Sequence, residues 1–368
     1  MSGWSSRPAA RWLVPLLAVA LLAGGGAAAS AIATAAEPDL PPRTAAELLA
    51  DLHNVQVGAL SGTVVQTAEL GLPLPDTAGR GDADLAGLWS GSHTLRVWYD
   101  GPERARVALL GTLSQSDIIR NGPDLWIWNS SRQQASHRTL PEGFGTGPAT
   151  PPAHPALTPQ EAADAALAAI EPTTEVRVGE PVRIAERDAY ELVLVPRDGA
   201  SLVRQVRLAV DAQESLPLRV QVFGDDPDPA FEVRFTQISF QRPDPEQFQF
   251  NPPPGTQVTE EELLPSLPFG SLPGIGRPPF ALVGEGWTTV LAVRLPAGLE
   301  PDLLGGGLLG GLLAGLPQVS GDWGTGRVLS GALFSVLLTD DGRVLAGAVT
   351  PEKLAEVAGH PDAALAGE

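Results

Sequence analysis

Apolar and polar residues alternate with a period of two through most of the chain, and this period is typical of β-strands with one buried face. In the segment HTLRVWY, Leu95, Val97 and Tyr99 occupy every second position. Turn residues divide the chain at short intervals, and the pairs Asn121–Gly122 and Asp341–Gly342 each predict a β-hairpin. The pattern therefore predicts a mainly β protein that is built on one large, curved, antiparallel sheet.

The segment LWIW, residues 125–128, is apolar on both faces of its predicted strand. Trp126 and Trp128 point to one side of the sheet, and Leu125 and Ile127 point to the other. We therefore expect both faces of the sheet to be covered at this strand.

Helices are few in the predicted fold, which makes it α+β with strands in the majority. Thr44 and Glu47 have the spacing of a capping box and predict a helix that runs to about His53. Thr158 and Glu161 have the same spacing at the start of TPQEAADAALAAI and predict a second helix to about 170. A short third helix is predicted to start at about 351. The first two helices are long enough to cover the concave side of the sheet.

The first 36 residues have the pattern of an export signal. Arg7 and Arg11 precede the apolar run WLVPLLAVALLA, and small residues near Ala35 and Ala36 offer a cleavage site. The apolar stretch is also long enough for an uncleaved membrane anchor, which is the alternative. In both cases the rest of the chain is expected to be extracytoplasmic, in the cell envelope.

Composition narrows the possible partners. The chain has 24 basic and 43 acidic residues, and a surface with this excess of negative charge repels nucleic acid and anionic lipid headgroups. The absence of cysteine excludes disulfides, thiolate metal sites, a thiol nucleophile and a lipidated cysteine anchor. Packing and hydrogen bonds must hold the fold together.

Catalytic and metal-binding motifs do not occur in the sequence. It lacks H-E-x-x-H, G-x-S-x-G, a phosphate loop and G-x-G-x-x-G, and its five histidines are far apart. The sequence therefore predicts a protein that is not an enzyme and that uses no cofactor and no metal.

The C-terminal quarter differs in composition from the rest. Residues 259–280 are rich in Pro and Gly and are predicted to be a linker, and 281–368 are predicted to be a small β extension. Within the extension, DLLGGGLLGGLLAGLP at 302–317 is either a flexible apolar loop over the core or a hydrophobic flap that contacts lipid or a partner.

The order of these segments resembles the LolA-like family, which includes the lipoprotein carrier LolA and the N-terminal domain of the regulator RseB. The resemblance rests on LSGTVVQT, HTLRVWYDGPERARVALLG, DIIRNGPDLWIWNSSRQQASHR, RDAYELVLVP and the F-x-F-x-P-P ending at Phe248–Pro253. It covers residues 38–258 and implies an unclosed β-barrel whose concave face is covered by helices and binds acyl chains. The extension is similar to one found in members from high-GC Gram-positive bacteria.

The resemblance implies a lipid or lipoprotein carrier, or alternatively an RseB-like regulator that senses lipid and binds an anti-sigma factor. The partners would be acyl chains of lipoproteins or lipids, with a membrane protein or anti-sigma factor as a further partner. For each apolar position in the predicted sheet, the alternative to a lipid contact is an ordinary place in the core. Our candidate cavity residues are Leu95, Val97, Leu109, Ile127, Leu192, Leu194, Val206, Leu208, Val220, Val233 and Phe235.

Overall fold

Two β-sheets account for most of the secondary structure in the computed structural model, which describes residues 38–55, 57–72, 87–88, 90–141, 172–260, 280–294 and 315–360. Four predicted segments lie wholly or mostly outside the described residues. They are the export signal at 1–36, the helix at 158–170, the linker at 259–280 and the Gly/Leu segment at 302–317.

Thirteen strands form the first sheet, in the order β13-β6-β5-β4-β3-β2-β1-β12-β11-β10-β9-β7, with β8 paired to β9 beside this path. Within the described residues no ladder joins β7 to β13, so the sheet is open, as predicted. The strands are β1 (Leu60–Glu69), β2 (Ser90–Tyr99), β3 (Arg104–Leu110), β4 (Gln115–Asn121), β5 (Asp124–Asn129), β6 (Gln134–Thr139), β7 (Thr174–Val178), β8 (Val182–Ile184), β9 (Arg187–Pro196), β10 (Gln205–Asp211), β11 (Pro217–Phe223), β12 (Pro229–Ser239) and β13 (Gln257–Glu260).

Antiparallel pairing builds all of this sheet except β13, and most pairs join neighbours along the chain, as the pattern of short turns predicted; β1 with β12 and β7 with β9 are antiparallel pairs of strands that are not neighbours. The β4–β5 hairpin is confirmed, and Gly122 supplies the positive φ of 62° that its two-residue turn requires. Among the described strands, β13 alone pairs in parallel, with β6. This strand spans the boundary that the sequence predicts at residue 258.

Helix α1 (Ala45–Asn54) begins with the predicted capping box. The Thr44 side chain accepts from Glu47 N at 3.2 Å, and the Glu47 carboxylate accepts from Thr44 N at 2.7 Å. Leu48 and Leu49 are buried in one hydrophobic cluster with β9, β10 and β11. We call the side of the sheet on which α1 packs the inner face, and the opposite side the outer face.

The second sheet has six strands in the order β14-β15-β19-β18-β17-β16. Together with helix α2 (Pro351–Ala358), which packs on it through Leu354 and Val357, this sheet forms what we call the C-terminal module. The hairpin predicted at Asp341–Gly342 joins β18 to β19. The strands are β14 (Phe280–Val283), β15 (Val290–Arg294), β16 (Gln318–Gly321), β17 (Gly324–Ser330), β18 (Ser335–Thr339) and β19 (Arg343–Gly347).

Candidate functional site: the inner face of the first sheet

The strand register places all eleven candidate cavity residues on the inner face. Leu192 pairs with Leu208, Leu208 with Val220, and Val220 with Val233, which carries one apolar row across four strands. Side chains two residues apart on a strand share a face, so Leu194, Val206 and Phe235 lie beside this row.

A second apolar row continues across the middle of the sheet. Val64 pairs with both Phe235 and Leu95, and Leu95 pairs in turn with Leu109. The parallel row runs from Val97 through Val107 and Ile118 to Ile127. The register thus brings the candidates together on one surface, and their contact with lipid stays a prediction.

One end of the inner face is filled by side chains of the same chain. At β9, β10 and β11 the five candidates Leu192, Leu194, Val206, Leu208 and Val220 are at most 7 % exposed. Leu48 and Leu49 of α1 belong to their cluster, and Trp287, Leu333 and Ala348 of the C-terminal module pack against it. This end is a closed core.

The rest of the inner face contains both buried and half-buried apolar side chains. Val64, Leu95 and Val233 form a second buried cluster, and half-buried Val97, Val107, Phe231 and Phe235 pack against it. Further along the sheet, Ile118 and Ile127 are half-buried as well. Among the candidates here, Leu95 and Leu109 are 1 % exposed, whereas Val97, Ile127 and Phe235 are half-buried.

A deeply buried polar side chain, Gln66, lies on this apolar face. Gln66 lies opposite Val233 and His93 and is only 1 % exposed. Its Nε2 donates to the carbonyl oxygen of Leu88 at 3.2 Å, while its Oε1 is buried and accepts no hydrogen bond. Sequence reasoning missed this residue, although the alternation Val64, Gln66, Ala68 places an amide at an apolar-face position.

The outer face at the tryptophan strand is covered by a later segment. Phe250 lies 5.2 Å from Trp126 and 5.9 Å from Trp128, measured between ring centroids. Phe248, at the end of a 3-10 turn (Pro245–Phe248), is 1 % exposed. The two tryptophans thus point away from the inner face and pack beneath the F-x-F-x-P-P segment.

Charged residues occupy the outer face where β9 to β12 meet. Arg219 donates to Glu191 at 2.7 Å, and Arg234 donates to Glu232 at 2.9 Å. Arg219 and Arg234 lie directly opposite each other, and each needs its own carboxylate because like charges at paired positions destabilise a sheet. The strands are therefore apolar on the inner face and ionic on the outer face.

An ionic cluster also fixes the edge strand β13 to β6. His137 stacks on Trp126 and hydrogen-bonds Asp124 Oδ1 at 2.9 Å and Glu260 Oε2 at 2.7 Å. Burial lowers the pKa of His137, but the hydrogen bonds and charges of Asp124 and Glu260 outweigh burial and raise that pKa above 6.5.

Two kinds of site do not occur in the part of the chain that the structure describes. No helix there is both long and apolar enough to cross a membrane. In the same residues, no three His, Asp or Glu side chains come together in an arrangement that could hold a metal ion.

Comparison with known proteins gives one sequence match and several structural ones. The MucB/RseB N-terminal domain matches residues 89–265. No curated protein matches the chain.

The structural matches are distant. The MucA/MucB complex of Pseudomonas aeruginosa shares 18% identity and covers 85% of this chain and 96% of that chain, with a TM-score of 0.43. A LolA superfamily protein from Nitrosomonas europaea shares 13% identity, over 57% of this chain and 99% of that chain, with a TM-score of 0.21. LprF from Mycobacterium bovis shares 10% identity, over 55% of this chain and 96% of that chain, with a TM-score of 0.27. The sequence match over residues 89–265 supports the predicted resemblance to the LolA-like/RseB family.

Proposed function

We propose that this protein is an extracytoplasmic, non-catalytic carrier that binds the acyl chains of lipids or lipoproteins on its inner face. The observation that supports this proposal is the register, which unites eleven apolar candidates on one face of an open sheet. The half-buried candidates Phe235, Val97 and Ile127, on β12, β2 and β5, mark where a hydrocarbon chain would lie.

The size of the hydrophobic effect favours an enclosing face over a small surface patch. At about 0.8 kcal/mol per buried methylene, a chain of ~16 carbons gains on the order of 12 kcal/mol before the losses of association are subtracted. A chain held this tightly leaves slowly, so delivery would need a receiving protein or membrane.

Binding of a fluorescent fatty acid to matched variants tests the proposal. Val97 and Val107 are half-buried, cross-strand neighbours on the inner face. The double change Val97→Thr and Val107→Thr preserves side-chain shape but places two hydroxyls against the hydrocarbon. We expect binding to weaken about tenfold or more, since an unpaired buried hydroxyl costs roughly 1–3 kcal/mol.

Val195→Thr is the matched control, because Val195 is a half-buried valine on the opposite face of β9. The affinity of the Val195→Thr variant for the fluorescent fatty acid should equal that of the unchanged protein. Equal affinity for the inner-face double variant, with folding intact, would contradict the proposal.

A second candidate is a regulator that binds an anti-sigma factor and releases it when lipid occupies the inner face. The match to the MucB/RseB domain favours it, and MucB itself has been solved in complex with MucA. Mixing the full chain with the extracytoplasmic segment of an anti-sigma factor distinguishes a regulator from a carrier. A regulator forms a complex that fatty acid dissociates, whereas a carrier forms none.

A further inference from the structure

We propose that Gln66 and His93 form a polar subsite on the inner face, which binds a neutral lipid head group that carries two hydrogen-bond donors, such as the diol of a glyceride. The inference deepens the proposed function and rests on it, because the hydrocarbon chain of the same ligand would lie beside the subsite. The eleven candidate cavity residues are all apolar and could hold the chain but not select its head group.

Gln66 supplies the first acceptor. The residue is 1 % exposed, its Nε2 donates to the carbonyl oxygen of Leu88 at 3.2 Å, and its Oε1 is buried and accepts no hydrogen bond. A buried amide oxygen without a donor is destabilising, and native proteins nearly always satisfy such a group. A donor on a ligand would satisfy it.

His93 supplies a second acceptor beside the first. It is the cross-strand partner of Gln66, so the two Cβ atoms are about 5 Å apart. Its Nε2 lies 3.0 Å from the carbonyl oxygen of Ser90, which can only accept, so Nε2 carries the proton. In the neutral ring Nδ1 is then an acceptor, and no described residue donates to it.

The subsite lies at the border between the packed face and solvent. On one side of Gln66, Val233 is 7 % exposed, whereas on the other side His93 is half-buried. The nearby Gly91 is exposed, and a Cβ there would lie 3.8 Å from His93 Nε2. The His93 ring is therefore partly accessible, and a head group can approach the two acceptors from this side.

The hydrocarbon chain of the same ligand would run from the subsite along the inner face. Gln66 and Val64 are two residues apart on β1, so their side chains share a face and are about 7 Å apart. Val64 pairs with Phe235, which is half-buried. The subsite thus adjoins one of the half-buried candidates that mark the place proposed for the hydrocarbon.

Two neighbouring acceptors select a head group by its donors. An ionised carboxylate has no donor, and its charge is repelled by the lone pairs of Gln66 Oε1 and His93 Nδ1. The excess of 43 acidic over 24 basic residues adds to this repulsion. A diol is neutral and has two O–H donors, so it can satisfy both acceptors.

Competition of dodecylglycerol and its di-O-methyl ether against a fluorescent fatty acid bound to the full chain tests the subsite. The two ligands share a chain and three oxygens, but only the diol has donors. We expect the unchanged protein to bind the diol about tenfold or more tightly, because the ether leaves both acceptors unsatisfied. In Gln66→Met, which keeps the side-chain length and removes the acceptor, the ether should bind at least as tightly as the diol.

Gln221→Met is the matched control, because Gln221 is a half-buried glutamine on the outer face of β11, where it hydrogen-bonds Glu232. This variant should keep the preference for the diol. His93→Phe keeps an aromatic ring but removes Nδ1, and it should lower the preference about threefold or more. Circular dichroism checks folding, and His93→Phe changes a less buried position should Gln66→Met fail to fold.

Equal binding of the diol and the ether by the unchanged protein, as expected if a water molecule satisfies Gln66, would overturn the subsite alone. A preference that persists in folded Gln66→Met or His93→Phe, or that is lost in Gln221→Met, would also overturn it. Failure of the unchanged protein to bind the fluorescent fatty acid, the diol and the ether would overturn the subsite together with the proposed function.

Discussion

Phe248 and Phe250 determine which side of the tryptophan strand is permanently covered. Phe250 contacts both Trp126 and Trp128, and the 3-10 turn that ends at buried Phe248 contacts β3 and β4. The alternation in LWIW predicted that both sides need cover. It could not predict which residues provide it, because these aromatic residues are far from the strand in the sequence.

Replacing Phe248 by alanine should remove much of this cover. A phenylalanine that is 1 % exposed leaves a cavity when truncated, so we expect a loss of about 3–5 kcal/mol in the free energy of unfolding, measured by urea titration with tryptophan fluorescence. Phe280→Ala is the matched control, since Phe280 is 39 % exposed and should change the free energy little. A small loss for Phe248→Ala would show that the segment does not hold the outer face.

The inner-face residues were predictable because a strand's alternation fixes which side chains share a face. Leu192, Leu208 and Val220 were assigned to one surface from sequence alone, and the register places them there. Gln66 has the same periodicity, but the hydrogen bond from its Nε2 to the Leu88 carbonyl oxygen is non-local, and no local pattern predicts it or the buried Oε1 that accepts no hydrogen bond.

At the scale of elements, local chemistry identified α1 and the hairpins. The Thr44–Glu47 capping box and the Gly122 turn each depend on residues within a few positions of one another. Strand β13 was missed because its flanking Pro and Gly residues indicate a linker and because its parallel pairing is non-local. His137 and Glu260, which join it to β6, are 123 residues apart.

The attachment of β13 should depend on pH through His137. Its pKa is raised in the folded protein, so its protonated form stabilises the contact with Glu260 fully below pH 6.5, and this contribution is lost as pH rises through the raised pKa. Hydrogen exchange of the β13 amides, corrected for intrinsic rates, should therefore lose protection as pH rises across that range.

The variant His137→Gln should abolish this pH dependence. The opposite edge strand β7 contains no histidine and serves as the internal control. Equal pH dependence in β7 and β13, or its persistence in His137→Gln, would contradict the role of His137.

At the scale of the whole molecule, the sequence separated a large sheet from a C-terminal β extension but did not predict how they join. The contacts of Ser201 with Val349 and of Leu70 with Ala332 are made by backbone atoms. Such contacts do not depend on the side chains, so residue types do not predict them. Glycines such as Gly224 and Gly331 reflect the contact in sequence, but neither of these two identifies its partner. The joining of the sheets makes one end of the inner face a closed core.

The most direct measurement of the central claim is native mass spectrometry of the full-length protein secreted by a lipid-rich host. We expect a mass above that of the polypeptide by one or more acyl species, and these species should be released on denaturation. A bare polypeptide mass from such a host, together with failure to bind fluorescent fatty acid, would contradict the claim that the inner face holds hydrocarbon chains.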